Sequence, residues 1–276
     1  MLRNPAVFRI NEYLACMRSC NFFCMRNYLG GVASCIYLLY LLCVIILFMA
    51  YRRTELAVGE WFHCYSRTID KSRPFDTEEH IKRFLDTLFL ANQSAPMPNM
   101  PYLYQKFSHA EIFSLERKGP LTMIGAYCIM PTHYHLLVQP LVENGLSEFM
   151  HKMGTGFTRY YNDRLKRVGN LFVKPFRSKH VANEGYLGRV ASYIHLNPIE
   201  LFEPNWKQGR VQKIEAVQRR LLQHPYSSLL DYEKGNRPQR SILNEDAMLM
   251  IKERLSPLQE SIYDAAEYYQ FLEFDV

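Results

Sequence analysis

The chain has 276 residues, 48% of them hydrophobic, a composition that gives a folded protein with a sizeable core and excludes a disordered chain. A formal charge of +6 with a pI near 8.9 suits an anionic partner without requiring one. Five of the seven cysteines, Cys16, Cys20, Cys24, Cys35 and Cys43, crowd the first 48 residues. No CxxC pair occurs and their spacing fits no usual zinc pattern, so all seven are expected to be free thiols of a reducing compartment.

From Gly30 to Tyr51 there is no charged residue, a length sufficient to span a bilayer. Arg18 and Arg26 precede this run and Arg52 and Arg53 follow it, so charge gives no orientation. Two readings stand side by side. Residues 30–51 are a transmembrane helix that brings membrane association, or residues 1–48 come from an upstream translation start and the natural chain begins at Met49.

Beyond Met49, Glu60–Ile69 alternates and is rich in aromatics, which predicts a strand. Thr77–Leu90 places Ile81, Phe84, Leu85 and Leu88 at helical spacing behind a Thr77 N-cap, and the proline-rich Asn92–Tyr102 reads as a loop. Strands are predicted over Leu121–Met130 and Tyr134–Val142, broken at Pro131-Thr132. A helix over Leu146–Arg167 carries Leu146, Phe149, Met153, Phe157 and Tyr160 on one face and is stopped by Gly169. Asn170–Val181 reads as extended, and Gly185–Asn197 as a helix ended by Pro198, which steers Asn197 away from helical geometry. This order predicts an α+β sandwich with helices packed on one face of a mainly antiparallel sheet. The rest is charged and less periodic, so the divisions are 1–48, 49–200 and a small helical C-terminal extension, 201–276.

Within "MPTHYHLLV", His133 and His135 are two residues apart on a strand and project to one face, with Tyr134 turned to the other. Two imidazoles so placed can share a metal ion, or simply hydrogen-bond at the sheet surface. In "YLGRVASYIHLNP", Leu187, Val190, Ala191 and Ile194 form the packing stripe, while Tyr186, Arg189, Tyr193 and Asn197 fall together beside it. His195 points about 200° from Tyr193 and is read as structural. In "RLKRVGNLFVKPFRSK", the cations Arg164, Lys166, Arg167, Lys174, Arg177 and Lys179 interleave with Phe172 and Phe176. Cations for phosphates and aromatics for bases are the ingredients of a single-strand groove, and a solvated basic face is the plainer reading.

These residues together resemble the REP-associated tyrosine transposases of the HUH single-strand transposase superfamily. "MPTHYHLLV" is similar to the family's His-hydrophobic-His strand and "SYIHLNPIE" to its tyrosine helix. Further similarity lies in "YRRTELAVGEWFHCYSR", "FTRYYNDRLKRVGNLFVKPFRSK" and "HPYSSLLDY", so the resemblance spans about Met49 to Tyr232. It implies a ferredoxin-like sheet, His133 and His135 as metal ligands with Asn197 as a third, and Tyr193 as nucleophile, with Tyr186 in reserve and Tyr160 and Tyr161 behind it. DNA contacts are expected from Arg159, Arg164, Lys166, Arg167, Phe172, Lys174, Phe176, Arg177, Lys179 and Arg189. Asn170 and Pro175 depart from the family's usual residues, which touches the DNA-contact details rather than the chemistry.

The implied activity is a metal-dependent transposase reaction, with Mg²⁺ or Mn²⁺, that cuts hairpin-adjacent single-stranded DNA through a 5′-phosphotyrosine. A tyrosine of pKa about 10 is only about 0.1% ionised at neutral pH, and forming the phenolate there costs about 4 kcal/mol, which a divalent ion would offset. The alternative is a DNA-binding protein that keeps the fold and has lost turnover. The expected location is cytoplasmic and DNA-associated, with membrane attachment only if the N-terminal segment is retained, and both monomer and dimer remain open.

Overall fold

The computed structural model describes residues 55–204, 206, 213–235 and 237–268. The apolar Gly30–Tyr51 run and the five N-terminal cysteines lie outside these residues. Among the described residues no helix is long and apolar enough to cross a membrane, and Cys64 and Cys128 are buried and in no disulfide.

The strands are β1 (Phe62–Arg67), β2 (Thr122–Met130), β3 (His133–Pro140) and β4 (Arg177–His180), antiparallel in the order β2-β3-β1-β4. Helix α1 (Glu78–Ala91) links β1 to β2, and α4 (Gly145–Leu165) links β3 to β4. This is the expected ferredoxin-like order. Thr77 caps α1 by accepting from the His80 amide at 3.4 Å.

Strand alternation sorts the sheet into two faces. Tyr134 of β3 meets Phe84 of α1 with ring centroids 5.1 Å apart, and Phe84 meets Phe157 of α4 at 5.1 Å. Phe75 and Phe172 complete this aromatic core. Helices α1 and α4 thus cover one face, as the sequence predicts, but the other face is covered as well. Helix α5 (Glu184–Leu196) packs on β2 and β3, and α8 (Glu245–Lys252) packs on β2 and α5. The physical reason is that Ala126, Cys128 and Leu137 leave this face too apolar to meet water.

Several boundaries differ from the sequence reading. The stretch read as a loop runs into α2 (Met100–Lys106), followed by α3 (His109–Ile112), each begun by a side-chain cap, Asn99 and Ser108. Helix α4 ends before Gly169, at Lys166, which itself takes the left-handed conformation with φ 52°. Tyr161, not Tyr160, is the tyrosine of α4 buried in the core. Asn197 keeps right-handed helical geometry, φ −50° and ψ −39°, and the chain passes through Pro198 into a 3₁₀ turn, Asn197–Leu201. Proline is tolerated there because it sits in the first turn of the new helix. Of the segment read as extended, only Arg177–His180 is a paired strand.

Beyond the sheet, α6 (Ile214–Leu221), α7 (Leu229–Glu233), α8 and α9 (Leu258–Tyr268) form the helical extension. Leu196, Ile199, Trp206, Val217, Leu221, Leu229, Ile262 and Ala265 make a second small core. The Tyr226–Ser228 backbone lies along the outer edge of β2, with Ile129 N–H donating to Tyr226 O at 3.0 Å and Ser228 N–H to Tyr127 O at 2.9 Å. A strand edge that would otherwise invite aggregation is closed.

Candidate metal and tyrosine site

The second face of the sheet carries the candidate chemistry. On β3 it presents His133 and His135, with ring centroids 5.0 Å apart and planes at 86°. Directly opposite on β1 stand Arg67 and Tyr65, and His63 follows two residues further on, opposite Leu137. Residues paired across antiparallel strands share a face, so Arg177, opposite Tyr65, and Lys179, opposite His63, extend the same surface onto β4.

Helix α5 lies over this surface. Asn183 caps it by accepting from the Tyr186 amide at 2.8 Å, and Leu187, Val190, Ala191 and Ile194 are buried against the sheet. The flanking stripe brings Tyr193 edge-on to His135, centroids 5.7 Å apart, and to His63 at 5.6 Å. One turn later Asn197 donates from Nδ2 to the Tyr193 carbonyl at 2.9 Å, while its buried Oδ1 has no hydrogen-bond partner among the described residues. A buried acceptor left in that state is unfavourable, and a cation is one group that would satisfy it.

His135 is fully buried and His133 is 9% exposed, so solvent reaches the pair from the His133 side. His133 Nδ1 and the Thr132 hydroxyl share a hydrogen bond of 3.0 Å, and His135 Nδ1 lies 2.9 Å from His63 Nε2. Burial, helped by the charge of Lys179, lowers His63 to about 3, so its imidazole stays neutral. Tyr193 is 3% exposed, and burial pushes its phenol above the usual tyrosine range, opposed by a side-chain hydrogen bond with Asn197.

Among the described residues no group of three or more His, Cys, Asp or Glu side chains is placed to hold a metal ion. A metal would therefore rely on His133, His135 and the amide oxygen of Asn197. Two imidazoles and an oxygen suit a borderline or hard divalent ion, and the orphaned Asn197 Oδ1 fits that role.

The remaining sequence-predicted residues divide by location. Arg189 is exposed on α5 one turn before Tyr193, and Tyr186, a turn earlier again, is half-buried against the main core. Lys174 is exposed in the loop before β4, and Phe176 is half-buried against the core. Phe172 corrects the expectation of a base-stacking residue. It is 6% exposed, with its ring 5.4 Å from that of Tyr134 inside the aromatic core, because burying a phenyl ring outweighs displaying it.

Arg159 and Arg164 lie apart from the histidine pair. They belong to α4, which packs on the opposite face of the sheet, where Arg164 lies 3.5 Å from Glu79 and Arg159 4.0 Å from Asp163. Lys166 and Arg167 follow at the end of the same helix, with Arg167 donating to Asn162 at 3.1 Å.

Sequence reasoning missed His63 and Tyr65. Their alternation in "FHCYSR" showed a shared face, but only strand order and register place that face beside His135.

No protein-family profile matches the chain, and no curated protein matches it. The chain is similar in fold to the solved structure of a REP-associated tyrosine transposase bound to a REP hairpin, at 15% identity and a TM-score of 0.44, over 69% of this chain and 90% of that one.

Proposed function

We propose that the protein is a metal-dependent transesterase of single-stranded DNA, cutting next to a hairpin and rejoining strands as transposases of the resembled family do. The observation that carries this reading is the convergence of His133 and His135 with Tyr193 across the α5–sheet interface, beside the orphaned Oδ1 of Asn197.

A Mg²⁺ or Mn²⁺ ion held by His133, His135 and Asn197 would polarise the scissile phosphodiester and stabilise its developing charge. Tyr193 supplies the attacking oxygen. Its Oη–P bond forms as the P–O3′ bond breaks, and the phenol proton is balanced by protonation of the leaving oxygen, giving a free 3′-OH and a 5′-phosphotyrosine. One phosphodiester replaces another, so rejoining needs no external energy source. Arg177 and Lys179 on the same surface, with Lys174 and Arg189 nearby, supply cations for the DNA backbone.

A specific observation favours the second reading, a DNA-binding protein without turnover. Tyr193 is almost fully buried and its phenol is held neutral, the opposite of a poised nucleophile. A denaturing gel of the full chain with labelled hairpin-bearing single-stranded DNA and Mn²⁺ separates the two. The transesterase reading expects a protein–DNA adduct that disappears in Tyr193→Phe. An adduct that persists moves the nucleophile elsewhere, with Tyr186 first, and no adduct on any substrate leaves the binding-only reading.

A further inference from the structure

His63 adds a third imidazole to this face. It stands two residues along β1 from the Tyr65↔His135 pair, opposite Leu137 and so on the same side of the sheet, with its ring 5.1 Å from that of His135 and the planes at 20°. Tyr65 stacks on both, at 5.1 Å from His63 and 5.8 Å from His135, and so restrains the two rings from turning. The edge of Tyr193 closes the group from α5.

The His63 Nε2 to His135 Nδ1 contact of 2.9 Å holds a single proton, and where that proton resides decides what His135 can do. If His63 donates, the neutral His135 carries its own hydrogen on Nε2 and cannot ligate through that atom. If His135 donates from Nδ1, its lone pair lies on Nε2. Ligating histidines usually donate their second ring N–H to an acceptor, and the acceptor fixes both tautomer and ring orientation.

We propose that His63 is a positioning residue whose Nε2 accepts the Nδ1 hydrogen of His135, locking His135 in the tautomer that presents Nε2 to a metal ion. This inference rests on the metal reading given above. His133 has its own partner in the Thr132 hydroxyl, so each imidazole of the pair is oriented through Nδ1.

The test compares the full chain with His63→Phe, His63→Gln and His135→Ala, using Co²⁺ as the probe and its visible absorption as the readout. His63→Phe keeps a ring but no acceptor, and is expected to weaken Co²⁺ binding by about 10- to 100-fold, while His63→Gln, whose Oε1 can accept, recovers most of it. Far-UV circular dichroism should match across the set. In parallel, ¹⁵N NMR of the metal-free wild type should show His135 protonated on Nδ1. An Nε2–H tautomer there overturns the proposal without any variant, as does wild-type Co²⁺ affinity in His63→Phe or an equal loss in Phe and Gln. If His135→Ala leaves Co²⁺ binding intact, the metal reading itself falls and takes this proposal with it. If only His63→Phe is silent, the proposal falls alone.

Discussion

His195 stands two residues beyond Tyr193 and serves another purpose. Its Nε2 lies 2.9 Å from the Ser228 hydroxyl, its ring tilts against Tyr232 at 5.0 Å, and it is 2% exposed. Burial, with Arg237 nearby, lowers it to about 3, and burial lowers His224 to about 4. A histidine whose folded pKa lies below its unfolded value is protonated first in the unfolded chain. Its contribution to stability is therefore complete above about pH 6.5 and is lost as the pH falls toward the folded pKa. Urea unfolding between pH 7 and pH 4 should show stability falling, and His195→Gln should reduce that slope by up to about 1.4 kcal/mol per pH unit. An unchanged slope would mean that His195 is already charged in the fold.

At the scale of elements, the position of Tyr193 depends on how closely α5 can approach the extension. A Cβ added to Gly188 would overlap the backbone carbonyl of Arg254, an atom that cannot rotate aside. Gly188 is therefore required by close approach. Gly188→Ala should force α5 away from the segment after α8, with a loss of about 1–3 kcal/mol measured by chemical denaturation. Under the proposed transesterase function, the same displacement should lower adduct formation, because Tyr193 rides on α5. A variant of wild-type stability would show that the two backbones separate without penalty. The helix was legible from its apolar stripe, whereas this contact was not, because Arg254 lies far along the chain.

At the scale of the molecule, the segment "HPYSSLLDY" acts as a clamp on the edge of the sheet. The Ser228 hydroxyl accepts from the Tyr127 amide at 2.8 Å, and the Tyr232 hydroxyl donates to Gly125 O at 2.6 Å. Arg237 grips both oxygens of buried Asp231 at 2.7 Å and also donates to the Tyr127 hydroxyl at 2.9 Å and to Ser227 O at 2.6 Å. Removing one partner of a buried pair strands the other charge, so Arg237→Ala should lower stability by about 3–5 kcal/mol. A melting temperature near that of the wild type would show that Asp231 finds water or another donor. The extension is thus part of the fold that supports β2 and, through it, β3.

The sequence by itself determined whatever backbone geometry imposes locally. A strand repeats every two residues, so His133 and His135 had to share a face. A helix turns every 3.6 residues, so Tyr193 and Asn197 had to lie together, clear of the Leu187–Ile194 stripe. The order of strands and helices along the chain followed from the same periods, and with it the α+β class, whereas the ferredoxin-like strand order was implied by the family resemblance and is present in the sheet. Only the tertiary structure decided which separate faces meet. Register across β1 and β3 put His63 and Tyr65 against His135, the aromatic core claimed Phe172, and α4 carried Arg159 and Arg164 to the far side of the sheet. The physical reason is range: local patterns are set by the torsions of neighbouring residues, while register and the choice of buried face are set by packing between segments distant in the chain.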